Sequence, residues 1–195
     1  MRPGAAIAAL CTLAGLVAGC GSTPASRFYT LSGTVTAAPA ATPLPVSLAV
    51  GPVSVPGTVD RPQIVVNTGA NQVEVDEFNR WASPLQSNIS RAVAENLVAL
   101  LGAPRVTQTL GVDSDFRVAI EVQRFESTPG DSAMLDAAWL VRRVKDGKIE
   151  TGRTTVREPV AQRGYDALVA AHSRAIGRLS QDIANTVRTL DSVPR

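Results

Sequence analysis

Phe116-Arg117-Val118-Ala119-Ile120-Glu121-Val122-Gln123 alternates larger apolar side chains with polar or small ones. A period of two places Phe116, Val118, Ile120 and Val122 on one face of a strand and their neighbours on the other. One face is core and one is wet, the pattern of a sheet covered on a single side. Downstream, Thr128-Pro129-Gly130-Asp131 has turn chemistry, Met134 to Val144 reads as a second strand carrying Trp139, and Asp146-Gly147 predicts a two-residue hairpin into a third strand, Ile149 to Val156. Three consecutive antiparallel strands are expected.

Such a sheet needs a cover, and two segments have the period to supply it. Ser83-Pro84-Leu85-Gln86 predicts a helix start, with Ser83 as cap, Pro84 in the first turn and Gln86 closing a capping box. Leu85, Ile89, Val93, Leu97 and Leu100 then recur every three or four residues up to Gly102, with Asn88, Arg91 and Glu95 assigned to water. Leu168, His172, Ile176, Leu179, Ile183, Val187 and Leu190 mark a second helix from Tyr165 to Leu190, ~39 Å long at 1.5 Å per residue. That length matches a five- or six-stranded sheet at ~4.8 Å per strand, which favours packing along the sheet over a coiled-coil partner. The expected fold is α+β: an antiparallel or mixed sheet with two main helices, about 84–101 and 165–190, packed on one face.

Upstream, Val46, Leu48 and Val50 alternate until Gly51-Pro52 shifts the register, predicting an edge strand or a bulged one. Ile64 to Val66 and Val73 to Val75 flank the turn-rich Asn67-Thr68-Gly69-Ala70-Asn71, a hairpin that Phe78 to Ala82 extends. Phe28 to Leu31 reads as a short strand, and Ser32 to Pro45, rich in Thr, Ala and Pro, as an irregular linker.

The first twenty residues have a different character. Arg2 is followed by an uncharged, mostly apolar run from Ala5 to Val17 and by Val17-Ala18-Gly19-Cys20, a run too short to span a bilayer and laid out as a signal peptide. The last four residues are similar to the lipobox, in which a diacylglycerol is attached to the cysteine and the chain is cut before it, between Gly19 and Cys20. The expected division is therefore a cleaved signal at 1–19, a lipidated N-terminus and tether at 20–27, and one domain at 28–195. Gly21 in place of aspartate favours sorting to the outer membrane, facing the periplasm. The tether reaches at most ~25 Å, so the domain is held close to its membrane. Removing residues 1–19 takes Arg2 from the 19 basic residues and none of the 17 acidic ones, leaving a net charge of +1, with no basic stripe for a nucleic acid. Without Cys11, and with Cys20 acylated, no disulfide remains to be made.

Catalytic patterns are lacking. His172 is the one histidine and sits among helical apolar positions, which favours a core-edge role over a triad or metal site, and no P-loop or nucleophile elbow is present. Asp113 with Asp115, and Asp76 with Glu77, read as turn or surface charges. No enzyme activity, metal or cofactor is expected beyond the lipid on Cys20.

Four segments in order resemble the PqiC-type (paraquat-inducible protein C, YmbA-like) lipoproteins: Phe28-Tyr29-Thr30-Leu31, Asp60-Arg61-Pro62-Gln63-Ile64-Val65, Asn79-Arg80-Trp81-Ala82-Ser83-Pro84-Leu85 and Leu168-Val169-Ala170-Ala171-His172-Ser173. The resemblance implies an α+β auxiliary subunit on the inner leaflet of the outer membrane. Its partners would be a periplasm-spanning MCE-domain protein and an inner-membrane transporter subunit, in intermembrane lipid transport; a homo-oligomer stays open. An auxiliary of another ABC transporter, or a structural envelope lipoprotein, is the alternative. Candidate partner-binding residues are Arg80 and Trp81, for which corner packing is the rival role, and Asn67 and Asn71 in the hairpin turn, with the 32–45 linker as a further exposed loop. Changing Cys20→Ser is expected to leave an uncleaved, unacylated precursor. Intact-mass analysis of membrane-extracted protein checks it, and a wild-type N-terminus other than acylated Cys20 contradicts it.

Overall fold

The computed structural model describes residues 24–35, 42–103, 105–108 and 113–192; the lipobox and Cys20 lie outside them. The alternating segment at 116 becomes the middle strand of a five-stranded sheet, β5-β2-β6-β7-β8. Here β2 is Ser47–Ser54, β5 Arg105–Thr107, β6 Phe116–Thr128, β7 Ser132–Arg143 and β8 Ile149–Pro159. As expected, β6, β7 and β8 form an antiparallel meander, while β2 runs parallel to both β5 and β6. The sheet is therefore mixed. β1 (Arg27–Tyr29), β4 (Gln72–Trp81) and β3 (Gln63–Gly69) form a separate three-stranded sheet in which β1 is parallel to β4 and β3–β4 is the expected hairpin.

Helix α1, Leu85–Leu101, and helix α2, Tyr165–Ser192, cover the large sheet. Their apolar stripes supply the core: Leu85, Ile89, Val93 and Leu97 of α1 and Leu168, Ile176, Leu179, Ile183 and Val187 of α2 are all buried against Leu48, Val118, Leu135 and Val141. At about 25 cal/mol per Å2 of apolar surface, this burial is the main stabilising term. Gly102 ends α1 with φ 60°, its N–H bonded to Val98 O.

Several local expectations are corrected. The capping box at α1 does not form: Pro84 is the N-cap, no side chain caps the helix, and Gln86 Nε2 instead donates to Asp60 Oδ1 at 2.7 Å. β2 has the expected register shift between Val50 and Val53 but is internal, not an edge, because the short β5 flanks it. The β7–β8 connection is longer than two residues: Arg143 N–H bonds to Lys148 O at 2.8 Å, and Asp146 turns back onto the Arg143 guanidinium. Asn88, assigned to water, is fully buried.

Between the two sheets the core is aromatic. Trp81 meets Phe125 edge-on with ring centroids 6.1 Å apart, and Phe125 stacks on His172 at 3.9 Å. His172 is fully buried with Ser127 Oγ 2.8 Å from Nε2, and its Nδ1 has no hydrogen-bond partner among the described residues. Burial pushes this imidazole down to about 3, so the fold keeps it neutral while the unfolded chain protonates near pH 6.5. A depressed native value gives stability that is complete above that pH and lost as the pH falls below it. His172 is the sole histidine, so it should dominate the loss between pH 6.5 and 5, expected to be about 2 kcal/mol. Denaturant titrations at the two pH values measure it; a His172→Gln variant should lack the dependence, and an equal loss in that variant contradicts the assignment.

Candidate functional site

Residues 30–35 have no periodicity of their own, and they carry polar or small side chains apart from Leu31 and Val35. A backbone of this kind is ordered only where other groups accept its N–H donors. Both helices provide them. The segment lies as a strap over the groove between α1 and α2, pinned by the side chain of Leu31, which is fully buried. Ser32 N–H donates to Ser173 Oγ at 3.2 Å, Gly33 N–H to Glu95 Oε2 at 2.8 Å, and the N–H groups of Thr34 and Val35 both donate to Asn96 Oδ1, at 2.9 and 3.0 Å. Asn96 is itself fully buried, and its Nδ2 donates to Ser180 Oγ at 3.2 Å. One amide thus ties the strap, α1 and α2 together. Thr30 Oγ1 donates to Asn88 Oδ1 at 2.9 Å, and Arg91 reaches Thr30 Oγ1, Leu31 O and Glu95. Gly177 makes the close approach possible, since a Cβ there would stand 2.9 Å from Thr34 Oγ1.

The strap begins at a corner where Asp60-Arg61-Pro62 meets Trp81-Ala82-Ser83-Pro84-Leu85 around a concavity of about 340 Å3. Trp81 N–H donates to Pro62 O at 2.7 Å and Ala82 N–H to Tyr29 O at 2.8 Å. Trp81 and Leu85 are buried, whereas Asp60, Arg61, Pro62, Ala82, Ser83 and Pro84 are exposed around them. Arg80 lies beside the corner, its Nε donating to Glu77 O at 2.8 Å. Asn67 and Asn71 are at the far tip of the hairpin and are not brought to this corner. Of the 32–45 linker, Ser32, Gly33 and Thr34 are exposed as expected yet hydrogen-bonded to the helices, Val35 is half-buried, and residues 36–41 lie outside the described chain.

Asp76, read as a surface charge, organises the junction of β4 with α2. Its Oδ1 accepts from the N–H groups of Phe78 and Asn79, both at 2.8 Å, and its Oδ2 from Tyr165 OH at 2.7 Å. Burial alone would raise this carboxyl, but the Tyr165 and Asn79 hydrogen bonds outweigh it and hold it below the usual carboxylate range. Among the described residues, no group of three His, Cys, Asp or Glu side chains comes together as metal ligands. Nor is any described helix long and apolar enough to cross a membrane.

All four segments that carry the resemblance meet here. Tyr29 and Leu31 begin the strap, Pro62 and Trp81 close the corner, and His172 and Ser173 join both to α2. A family model described as the ABC-type transport auxiliary lipoprotein component matches residues 29–184. The chain belongs to that family. The PqiC-type resemblance is borne out at this level. Two solved structures share the fold: a crystal structure of an uncharacterized protein, at 22% identity and TM-score 0.69 over 84% of this chain and 99% of that one, and protein XCC0632 from Xanthomonas campestris, a DUF330 protein, at 21% identity and TM-score 0.69 over 86% of this chain and 100% of that one. No curated protein matches significantly.

In this auxiliary lipoprotein the strap partner Asn96 is not singled out by the sequence reading, which assigns Asn88 and Glu95 to water and carries Ser173 only within a resembling segment. A signal for them exists: Asn88, Ala92 and Asn96 recur every four residues beside the leucine stripe of α1, and Ser173, Gly177 and Ser180 form a small-residue stripe on α2. An Asn96→Leu variant is expected to lose about 1–3 kcal/mol, the usual consequence of removing the partner of buried hydrogen-bonding groups. Urea denaturation measures it, and an unchanged midpoint contradicts the strap's role in stability.

Proposed function

We propose that this auxiliary lipoprotein is a non-catalytic docking subunit of an intermembrane phospholipid transport system. Acylated Cys20 holds it on the inner leaflet of the outer membrane, and the exposed rim of the Trp81 corner receives a periplasm-spanning MCE-domain protein that continues to an inner-membrane transporter subunit. The observation that carries this reading is the strap. The chain enters the domain as β1, paired with β4 at the corner, and continues as a strap hydrogen-bonded to both helices, so the end of the chain that carries the anchor is tied to the corner and the core together. The family description as a transport auxiliary component supports the same role.

Two or three acyl chains, at about 0.8 kcal/mol per buried methylene, hold such a subunit firmly. The protein's own work is then recognition. The detergent-solubilised, lipidated protein is expected to retain its co-encoded MCE-domain protein in a pull-down. Arg61→Glu on the corner rim should weaken that binding about tenfold, which corresponds to about 1.4 kcal/mol. No complex at tens of micromolar contradicts the reading, and capture of a component of a different ABC transporter would reassign the system it serves.

A further inference from the structure

The chain has four phenylalanines, and they divide cleanly. Phe116 and Phe125 are in the core, whereas Phe28 is 64% exposed and Phe78 37% exposed. The two exposed rings occupy adjoining strands: Phe28 of β1 lies opposite Arg80 of β4, two residues after Phe78. Val73, 56% exposed, lies further along β4. β1 covers β4 only from Asn79 to Trp81, so the rest of that edge is unpaired by β1. Single exposed apolar side chains are ordinary. Two neighbouring phenylalanines on an open strand edge are a surface that something covers.

The position of the anchor identifies the cover. Phe28 is eight residues after Cys20, and a tether of at most ~25 Å keeps this edge beside the bilayer. We propose that Phe28 and Phe78 insert into the membrane that holds the lipid anchor, giving the domain a second contact and a fixed orientation. This rests on the lipidation of Cys20. Aromatic rings are suited to the headgroup level. The surrounding charge is mixed: Arg27 is exposed, Arg80 is paired with Glu77, and Glu74 and Glu77 are exposed. Insertion is therefore apolar, and its depth does not depend on anionic lipid.

Orientation by this edge holds the opposite end of the large sheet away from the bilayer. The β7–β8 connection lies beside Phe116 at one end of β6, while Phe125, nine residues along at ~3.3 Å each, packs against Trp81 near β1. Ile149, 49% exposed at that remote end, is an internal control.

The test uses full-length, acylated protein in phosphatidylcholine vesicles whose acyl chains are brominated near the headgroup, with and without phosphatidylglycerol. Trp81 and Trp139 are buried and give a common background. Phe28→Trp, and independently Phe78→Trp, are expected to show the added emission shifted to the blue and quenched about twofold in both lipid mixtures, as for an indole at the interface. Ile149→Trp should be unaffected. Quenching of both substituted positions no greater than at Ile149, in protein whose mass shows acylated Cys20, overturns the insertion and leaves the anchor standing. Quenching that appears only with phosphatidylglycerol overturns the apolar mode. A mass without acyl on Cys20 overturns the anchor and the insertion together.

Discussion

Asn96 is the constraint on which the arrangement depends. Its side chain is fully buried, its oxygen accepts from two successive backbone N–H groups of the strap, and its nitrogen donates to Ser180 on the other helix. A buried amide without partners costs about 1–3 kcal/mol, so this residue is stable only while strap and helices are all in place. The consequence is mechanical: the N-terminal chain cannot leave the groove without stranding a polar group.

The rest of the fold is arranged so that this groove exists. Two helices side by side on one face of a mixed sheet leave a furrow on their outer side, and the small stripe Ser173, Gly177 and Ser180 makes it shallow enough for a backbone to approach. The sheet is tied to α2 by a chain of hydrogen bonds in which Trp139 Nε1 donates to Thr154 Oγ1 at 3.0 Å, and Thr154 Oγ1 to Asp182 Oδ2 at 2.6 Å. Trp139 fits because it lies over Gly152, where any Cβ would stand 2.2 Å from the indole. The second sheet is joined to the first by the Trp81–Phe125–His172 stack and to α2 by Asp76 and Tyr165. Strap, corner and sheets therefore form one connected path.

What was legible in the sequence follows from period and burial. The meander at 116–156, the hairpin around Asn67 to Asn71 and both helices are dictated by apolar spacing that has one solution each. The misreadings share a cause, competition from groups distant in sequence. Gln86 fits a capping box until Asp60 takes its amide, and Asn88 belongs in water until the strap covers it. Asp146-Gly147 suits a tight hairpin until Arg143 claims the carboxylate. Of the candidate site, Trp81 and the Asp60-Arg61-Pro62 segment were visible as motifs. Their convergence with Ser173 was not, because nothing local brings residue 62 to residue 81 or residue 32 to residue 173.

Native-state hydrogen exchange at Ser32, Gly33, Thr34 and Val35 tests the strap most directly. Ser32, Gly33 and Thr34 are exposed and Val35 is half-buried, all four lie outside regular secondary structure, and their hydrogen-bond acceptors are side chains of the two helices. The account predicts protection of the Thr34 and Val35 amides approaching that of the α1 interior, lost together in Asn96→Leu. Exchange of all four amides at the rate of an unstructured chain would contradict it.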